Sequence, residues 1–166
     1  VESNLIDLIS KIGEKITIRR ASYFDDSKGK NYFYIHNSIE KNIGKIISVV
    51  TLSNMNNENN DLGNKVAMHI AASSPIAIEK SGIDKKILDK EMEIIRAELT
   101  NSGKKPEMID KIANGKINKF ISDNTLLNQV WIMDPKKKVL DILIDNSKQS
   151  KVEVINFIRY KVGEGV

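Results

Sequence analysis

Few residues in this sequence have side chains suited to catalysis or metal binding, and their spacing supports neither. There are two histidines, His36 and His69, and no cysteine. Neither histidine has a second histidine at helical spacing or a pair of carboxylates beside it in a metal-binding pattern. Ser73 and Ser74 have no nearby base that would activate a hydroxyl group. We therefore predict no catalytic residue, no metal and no cofactor, and a binding function in place of an enzyme.

His69 lies in the stretch VAMHIAASSP, residues 66–75. Val66, Ile70 and Ala71 would form the apolar face of a short helix that ends before Pro75, with His69 at the edge of that face. One interpretation is a partly buried histidine whose ring nitrogens are satisfied locally. The other is an interface residue, whose aromatic ring and polar rim suit a partner's groove. The spacing alone favours the first interpretation.

Length and composition narrow the class of protein. With 166 residues, 40% of them hydrophobic, the chain can form one domain of ordinary size or two small subdomains. No stretch approaches the roughly 20 apolar residues of a membrane-spanning helix, so we expect no membrane partner. The lack of cysteine fits a reducing compartment, and we expect a cytoplasmic protein.

The basic residues do not form a nucleic-acid signature. The net charge is +4, but only four of the 26 basic residues are arginine, and the lysines are interleaved with acids. Phosphate and base recognition favours the guanidinium group, whereas charges of mixed sign are typical of a solvated surface. Direct contact with nucleic acid is therefore not the expected role.

The first part of the chain predicts a helix followed by a small sheet. Apolar residues at helical spacing between Asn4 and Gly13 indicate a short helix that ends at the glycine. Residues 15–24, 31–36 and 43–52 each favour a strand, which would give a three-stranded antiparallel meander. The polar stretch 54–60 predicts a loop between two structural units.

The second part predicts a helix over 62–73 and then a helical hairpin. Leu88, Met92, Ile95 and Leu99 are spaced by four, three and four residues, and a second apolar stripe runs through 109–120. Gly103 and Pro106 suit the end of the first helix and the start of the next, and Asn114–Gly115 predicts a weak or kinked point.

We predict a strand at 130–133, a short helix at 137–145 and a final strand at 152–162. The predicted fold class is α+β, with two small subdomains that contain antiparallel three-stranded sheets and packed helices. The first subdomain spans 1–58 and the second 59–166, with an antiparallel coiled-coil hairpin inserted at about 83–124.

Five stretches of the sequence, in order, resemble blocks of the bacterial elongation factor Ts family, and together they cover the chain from about 5 to 165. That resemblance implies a core of two α+β subdomains with an antiparallel coiled coil inserted in the second. The stretches are KIGEKITIRRA (11–21), YIHNSIEKNIGKI (34–46), VAMHIAASSP (66–75), IDKKILDKEMEI (83–94) and FIRYKVGEG (157–165).

The resemblance implies guanine-nucleotide exchange on elongation factor Tu, the GTPase that carries aminoacyl-tRNA to the ribosome during protein biosynthesis. Such a factor promotes GDP release by binding nucleotide-free Tu preferentially and makes or breaks no bond. The family's docking contacts map to the histidine block and to the strand after the coiled coil. For the strand pair the alternative is ordinary strand core, because a strand alternates its faces. The implied partner-binding residues are Met68, His69, Ile70, Ala71, Ile132 and Met133.

Three departures from the family pattern qualify these expectations. The family's N-terminal helical module and its TDFV block, which wedges toward the magnesium site of Tu, are absent from this sequence. We therefore expect a carboxy-terminal part of a longer protein, which docks on Tu but exchanges nucleotide poorly. The family's Gly-Lys-Pro at the hairpin turn reads here as Gly-Lys-Lys-Pro at 103–106.

Two other functions remain open from the sequence. A basic scaffold that contacts transfer or ribosomal RNA is the first, and its RNA affinity would fall steeply with added salt. A self-associating module is the second, in which the seam from Leu88 to Leu99 pairs with a second copy to form a homodimer.

Overall fold

The computed structural model of the chain describes residues 1–55, 60–147 and 151–165. These ranges contain a mixture of helices and antiparallel strands, which confirms the predicted α+β class. Within them, no helix has the length and apolar character needed to cross a membrane. In chain order the elements are α1 (Glu2–Ile12), β1 (Lys30–Glu40), β2 (Ile43–Leu52), α2 (Asn60–Ser73), α3 (Lys85–Asn101), α4 (Pro106–Asn124), β3 (Val130–Trp131), β4 (Asp134–Lys138), α5 (Val139–Asp145) and β5 (Val154–Lys161).

The main sheet has three antiparallel strands in the order β1-β2-β5. One row across it joins Tyr32, Val50 and Phe157, and these side chains belong to the core that α2 covers. The third strand of the sheet thus comes from the C-terminal end of the described chain. A pairing this distant in sequence leaves no local signal, which is why the sequence predicted a meander of consecutive strands.

The strand predicted over residues 15–24 is wrong, since this segment has no regular secondary structure. Its contacts are made by side chains: Ser22 Oγ lies 2.6 Å from the Tyr160 hydroxyl, and the Arg20 guanidinium lies 4.6 Å from the centre of the same ring. Ile18 remains 58% exposed. Residues 15–24 alternate in polarity but bury little apolar surface. The third position in the sheet is therefore taken by β5 and not by this segment.

The boundary predicted at 58/59 separates residues that share one core in the structure. Strands from both sides of it form the main sheet, and α2 packs on β1 and β2. The predicted loop at 54–60 falls largely outside the described residues, because 56–59 are not among them. The division into two subdomains stays a prediction. The shared core consists of Tyr32, Val50, Leu52, Leu62, Val66, Ala67, Ile70, Leu126, Trp131, Val139, Leu143 and Val152.

Helix α2 is fixed to the sheet by polar bonds as well as apolar packing. Ser48, which is fully buried, donates its hydroxyl hydrogen to the Ala67 carbonyl over 2.6 Å. Arg159 Nε donates to the Ala71 carbonyl over 3.0 Å. This carbonyl lies in the last turn of α2, where carbonyl groups lack intrahelical partners and a cation is favourable.

The predicted helical hairpin is confirmed. Asp84 caps the start of α3 by accepting a hydrogen bond from the Lys86 amide over 2.9 Å, and Pro106 occupies the first turn of α4. Gly103 between the helices has a positive φ of 70°. Helix α4 continues through Asn114–Gly115, where the sequence predicted a weak or kinked point. The seam from Leu88 to Leu99 packs against α4 of the same chain, which occupies the face that a second copy would need.

The smaller elements were predicted with errors at their ends. Helix α1 is confirmed and ends at Gly13 in the left-handed conformation, with a φ of 71°. The predicted strand at 130–133 is shorter and pairs as β3 with β4, so the second sheet in the described ranges has two strands and not three. The predicted helix at 137–145 begins later, at Val139, and the final strand is confirmed as β5.

Candidate functional site

The clearest candidate for a contact surface is the turn between β3 and β4. Trp131 pairs with Asp134, so Ile132 and Met133 are the two residues of the turn. Their side chains are 42% and 43% exposed, whereas Trp131 is buried. Two-residue turns usually carry glycine, asparagine or aspartate. Two large apolar side chains presented at such a turn suit contact with another protein.

This placement answers the question that the sequence left open for these two residues. In a strand, only one of the neighbouring pair could point outward. At the turn, both Ile132 and Met133 lie outside the core. Ordinary strand core therefore does not account for them.

Two side-chain carboxylates accept hydrogen bonds from backbone amides of the strand after the turn. The Asp134 carboxylate accepts from the Lys136 amide over 3.0 Å, and the Asp141 carboxylate accepts from the Lys138 amide over 2.8 Å. The latter bond satisfies the Lys138 backbone amide at the N-terminal end of α5 with the carboxylate of the third helical residue. The strand that leaves the turn is therefore held by hydrogen bonds within β4 and at its junction with α5.

His69 lies directly behind β3 and has no exposed surface. Its ring stacks on the indole of Trp131, with the ring centres 5.2 Å apart and the planes inclined by 19°. Its Nε2 lies 3.0 Å from Gln129 Oε1. His69 thus joins helix α2 to the segment that leads into the turn. It does so by a hydrogen bond to Gln129 and a ring stack on Trp131, two residues further along.

The hydrogen bonds of Gln129 determine which nitrogen of His69 carries the proton. The Gln129 amide nitrogen donates to the Ser73 carbonyl over 3.1 Å and to the Asp123 carbonyl over 2.8 Å. Since both amide hydrogens are used, Gln129 Oε1 accepts, and His69 Nε2 must be the donor. His69 Nδ1 is buried without a hydrogen-bond partner.

Burial lowers the pKa of His69 below its ordinary value, and the bond to Gln129 opposes this only in part. Removing an imidazolium from water is costly, so the ring is held in its neutral form. A neutral, hydrogen-bonded and stacked imidazole is a structural element and not an acid or base for chemistry.

The structure separates the six residues predicted to bind a partner into two groups. Ile132 and Met133 are exposed, and Met68 is half-buried. His69, Ile70 and Ala71 are buried between α2 and the rest of the core. A side chain without exposed surface makes no direct contact with another protein in this conformation. For these three residues the burial favours a structural role, and a direct contact stays a prediction.

Gln129 and Trp131 were not predicted from the sequence, although both lie at the centre of this arrangement. Trp131 is the only tryptophan of the chain. Gln129 and its neighbour Asn128 are the two polar residues of the otherwise apolar stretch 126–133. A polar side chain that is buried among apolar ones needs hydrogen-bond partners, and this is the signal that could have identified it.

The described residues do not assemble a site for a metal ion, since no three of their histidine, aspartate or glutamate side chains come together as ligands. A groove of about 810 Å³ lies between residues 75–82 and β5. Its charged lining consists of Glu79, Lys151, Glu153 and Arg159. Arg159 is already bonded to the Ala71 carbonyl and to Glu164, so its guanidinium is committed to the fold.

Comparisons with known proteins point to one family. The family model described as "Elongation factor TS" matches residues 1–164. The chain is 36% identical over 170 residues to elongation factor Ts of Nitrobacter hamburgensis and 32% identical over 171 residues to that of Rickettsia massiliae. In each comparison all of this chain is covered, and it spans 55% of the relative's length. The chain belongs to the elongation factor Ts family.

Proposed function

We propose that this chain takes part in guanine-nucleotide exchange on elongation factor Tu during translation elongation in the cytoplasm. In this role it binds Tu and holds the nucleotide-free form more tightly than the GDP-bound form. It contributes binding energy and no bond chemistry. The membership in the elongation factor Ts family supports this proposal, and one structural observation carries it.

That observation is the pair Ile132 and Met133, presented at the turn of a hairpin directly after the buried Trp131. Exposed apolar side chains on a rigid support bury surface on binding without first having to be ordered. Apolar residues in the centre of an interface commonly supply much of its binding energy. The turn is therefore the part of the described chain best suited to dock on Tu.

Preferential binding is sufficient to release a nucleotide. If the chain binds nucleotide-free Tu more tightly than Tu·GDP, then by linkage its binding lowers the affinity of Tu for GDP by the same factor. Residues that contact the nucleotide or its magnesium ion would add to this effect.

The proposal is tested by mixing the purified chain with Tu that carries fluorescently labelled GDP. Complex formation and GDP release are followed separately, with excess unlabelled GDP as the trap. The double variant Ile132→Ser/Met133→Ser is compared with Ile39→Ser, which alters an isoleucine that is also exposed but lies on β1. We expect the turn variant to lose at least about tenfold in affinity for Tu, which corresponds to roughly 1.4 kcal/mol, and the β1 variant to bind normally.

Two results would contradict the proposal. The first is an equal affinity of the wild-type chain for Tu with and without GDP, because exchange by linkage then has no source. The second is binding to Tu that survives the turn variant, because the docking surface would then lie elsewhere. Binding and exchange are measured separately because the chain spans about half the length of the relatives it matches.

A further inference from the structure

Gln129 forms hydrogen bonds to three helices, α2, α4 and α5. Its side-chain amide donates to the last carbonyl of α2, that of Ser73, and to the Asp123 carbonyl near the end of α4. Its side-chain oxygen accepts from His69. Its backbone amide donates to Thr125, and its carbonyl accepts from the Val139 amide at the start of α5.

The exposed turn begins three residues after Gln129, at Ile132. Between them lies Trp131, whose indole is stacked on His69. The chain that enters the turn is thus held at two successive inward-facing positions, and the same histidine contacts both of them. These contacts fix the backbone at Gln129 and Trp131, from which the exposed pair projects.

We infer that His69, Gln129 and Trp131 form a positioning unit that sets the geometry of the Ile132–Met133 turn for docking. The inference rests on the proposed function, because docking on Tu is what the geometry serves. His69 acts in this way without touching the partner, from a position with no exposed surface.

The energetics favour a unit of this kind. When a buried hydrogen bond loses one partner, the remaining group stays unsatisfied in an apolar environment, so the intact arrangement is strongly preferred. A turn that is already ordered before binding avoids the entropic cost of ordering it on the partner. Loss of the unit should therefore reduce affinity for Tu even though the exposed side chains are unchanged.

A double-mutant cycle distinguishes positioning from direct contact, since positioning acts only through the turn. The affinity of the chain for Tu·GDP is measured for His69→Ala in the native background and in the Ile132→Ala/Met133→Ala background. We expect a loss of about tenfold in the native background and less than about twofold when the turn side chains are already removed. Equal losses in the two backgrounds would overturn the inference.

The conservative variant His69→Gln separates positioning from a general loss of stability. Its amide can donate to Gln129 Oε1 as His69 Nε2 does, although it lacks the stacking ring. We expect it to recover most of the affinity that His69→Ala loses, with Trp131→Phe as a second variant that retains a ring at the stack. Recovery of stability in urea without recovery of affinity would contradict the role of this hydrogen bond in docking.

A measurement without Tu keeps this inference separate from the proposed function. The ¹³C-labelled methyl group of Met133 is observed by NMR in the chain alone. We expect its signal to shift and broaden in His69→Ala and to keep its position in His69→Gln. If the signal responds in this way but the chain does not bind Tu, the proposed function fails while the positioning unit stands. If the signal is the same in all three proteins, the positioning unit is refuted.

Discussion

Helices α2 and α4 both contain a glycine in their interior, yet the two glycines have opposite surroundings. A Cβ atom at Gly63 in α2 would overlap the ring of Tyr32 on β1, whereas a Cβ at Gly115 in α4 would meet nothing within 4 Å. Glycine costs a helix about 1 kcal/mol relative to alanine at either position. At Gly63 this cost permits the close approach of α2 to the sheet. At Gly115 no neighbouring group needs the space that the missing side chain leaves, so no packing contact offsets the cost.

This contrast extends to the two regions that contain these helices. Around α2, the type of residue at each buried position is determined by contacts between elements that are distant in sequence. Examples are the bonds of Ser48 to Ala67 and of His69 to Gln129. In the helical hairpin, the residue types follow a local pattern of apolar spacing and helix-capping residues. Substitutions should therefore be costly in the first region and mild on the surface of the second.

The largest decrease in the free energy of unfolding is expected for Gly63→Ala. The new methyl group has no space beside the buried Tyr32 ring, so the helix must move away from the sheet or the ring must change its rotamer. Overpacking of this kind typically costs 1–3 kcal/mol, and we expect about 2–3 kcal/mol at this site. The free energy of unfolding is measured by urea titration.

The control for this variant is Asn64→Ala, at the neighbouring exposed position of the same helix. It raises helix propensity without placing an atom against Tyr32, and its stability should stay within about 0.5 kcal/mol of wild type. A wild-type stability for Gly63→Ala would mean that α2 leaves room for a methyl group beside the Tyr32 ring.

The next effect in size is a pH dependence that originates at His69. Its folded-state pKa lies below the ordinary value because the ring is buried. As the pH falls through about 6.5, the unfolded chain takes up a proton that the folded chain does not. The free energy of unfolding therefore decreases on acidification from this point, and the decrease ends once the pH is below the folded-state pKa.

The contribution of His69 is isolated by comparing urea titrations of wild type and His69→Gln between pH 8 and pH 5. His36 is present in both proteins, so its effect cancels. We expect the stability difference between the two proteins to shift in favour of the variant as the pH falls below about 6.5. A constant difference would show that His69 is not held neutral by burial.

The same contrast explains how far the sequence could be interpreted. The helical hairpin was predicted because Leu88 to Leu99 repeat at helical spacing and Pro106 marks the next start, and these signals are local. The main sheet was predicted with the wrong third strand, since the pairing of β5 with β2 joins residues about a hundred positions apart. Periodicity gives the type of element and not its partner.

The candidate site was predicted in part for the same reason. The exposed pair Ile132 and Met133 was identified from the resemblance, but the sequence placed it in a strand where the structure has a turn. The burial of His69 was one of two interpretations that spacing left open. Its bond to Gln129 spans 60 residues, so neither the bond nor the stack on Trp131 had a local signal.

A smaller effect, of opposite sign, is expected for Gly115→Ala. The added methyl group enters open space and replaces the residue that costs an α-helix most after proline. We expect a gain of up to about 1 kcal/mol in the free energy of unfolding, with an increase in helix content by circular dichroism. A loss of stability would instead indicate that this side of α4 is covered, for example by a second copy of the chain.

The smallest effect is expected for the ion pair between Arg96 on α3 and Asp110 on α4, whose atoms lie 3.0 Å apart with both side chains more than half exposed. Water and salt screen such a pair, and ordering two long side chains opposes its attraction. A double-mutant cycle with Arg96→Ala and Asp110→Ala should give a coupling of about 0.2–0.5 kcal/mol that is lost in 1 M NaCl. A coupling above about 1 kcal/mol that persists in salt would contradict the contrast between the two regions. The helical hairpin would then depend on specific polar contacts, as the region around α2 does. The expected weak coupling instead leaves the buried seam of Ile95, Leu99 and Ile117 as the source of the hairpin's stability.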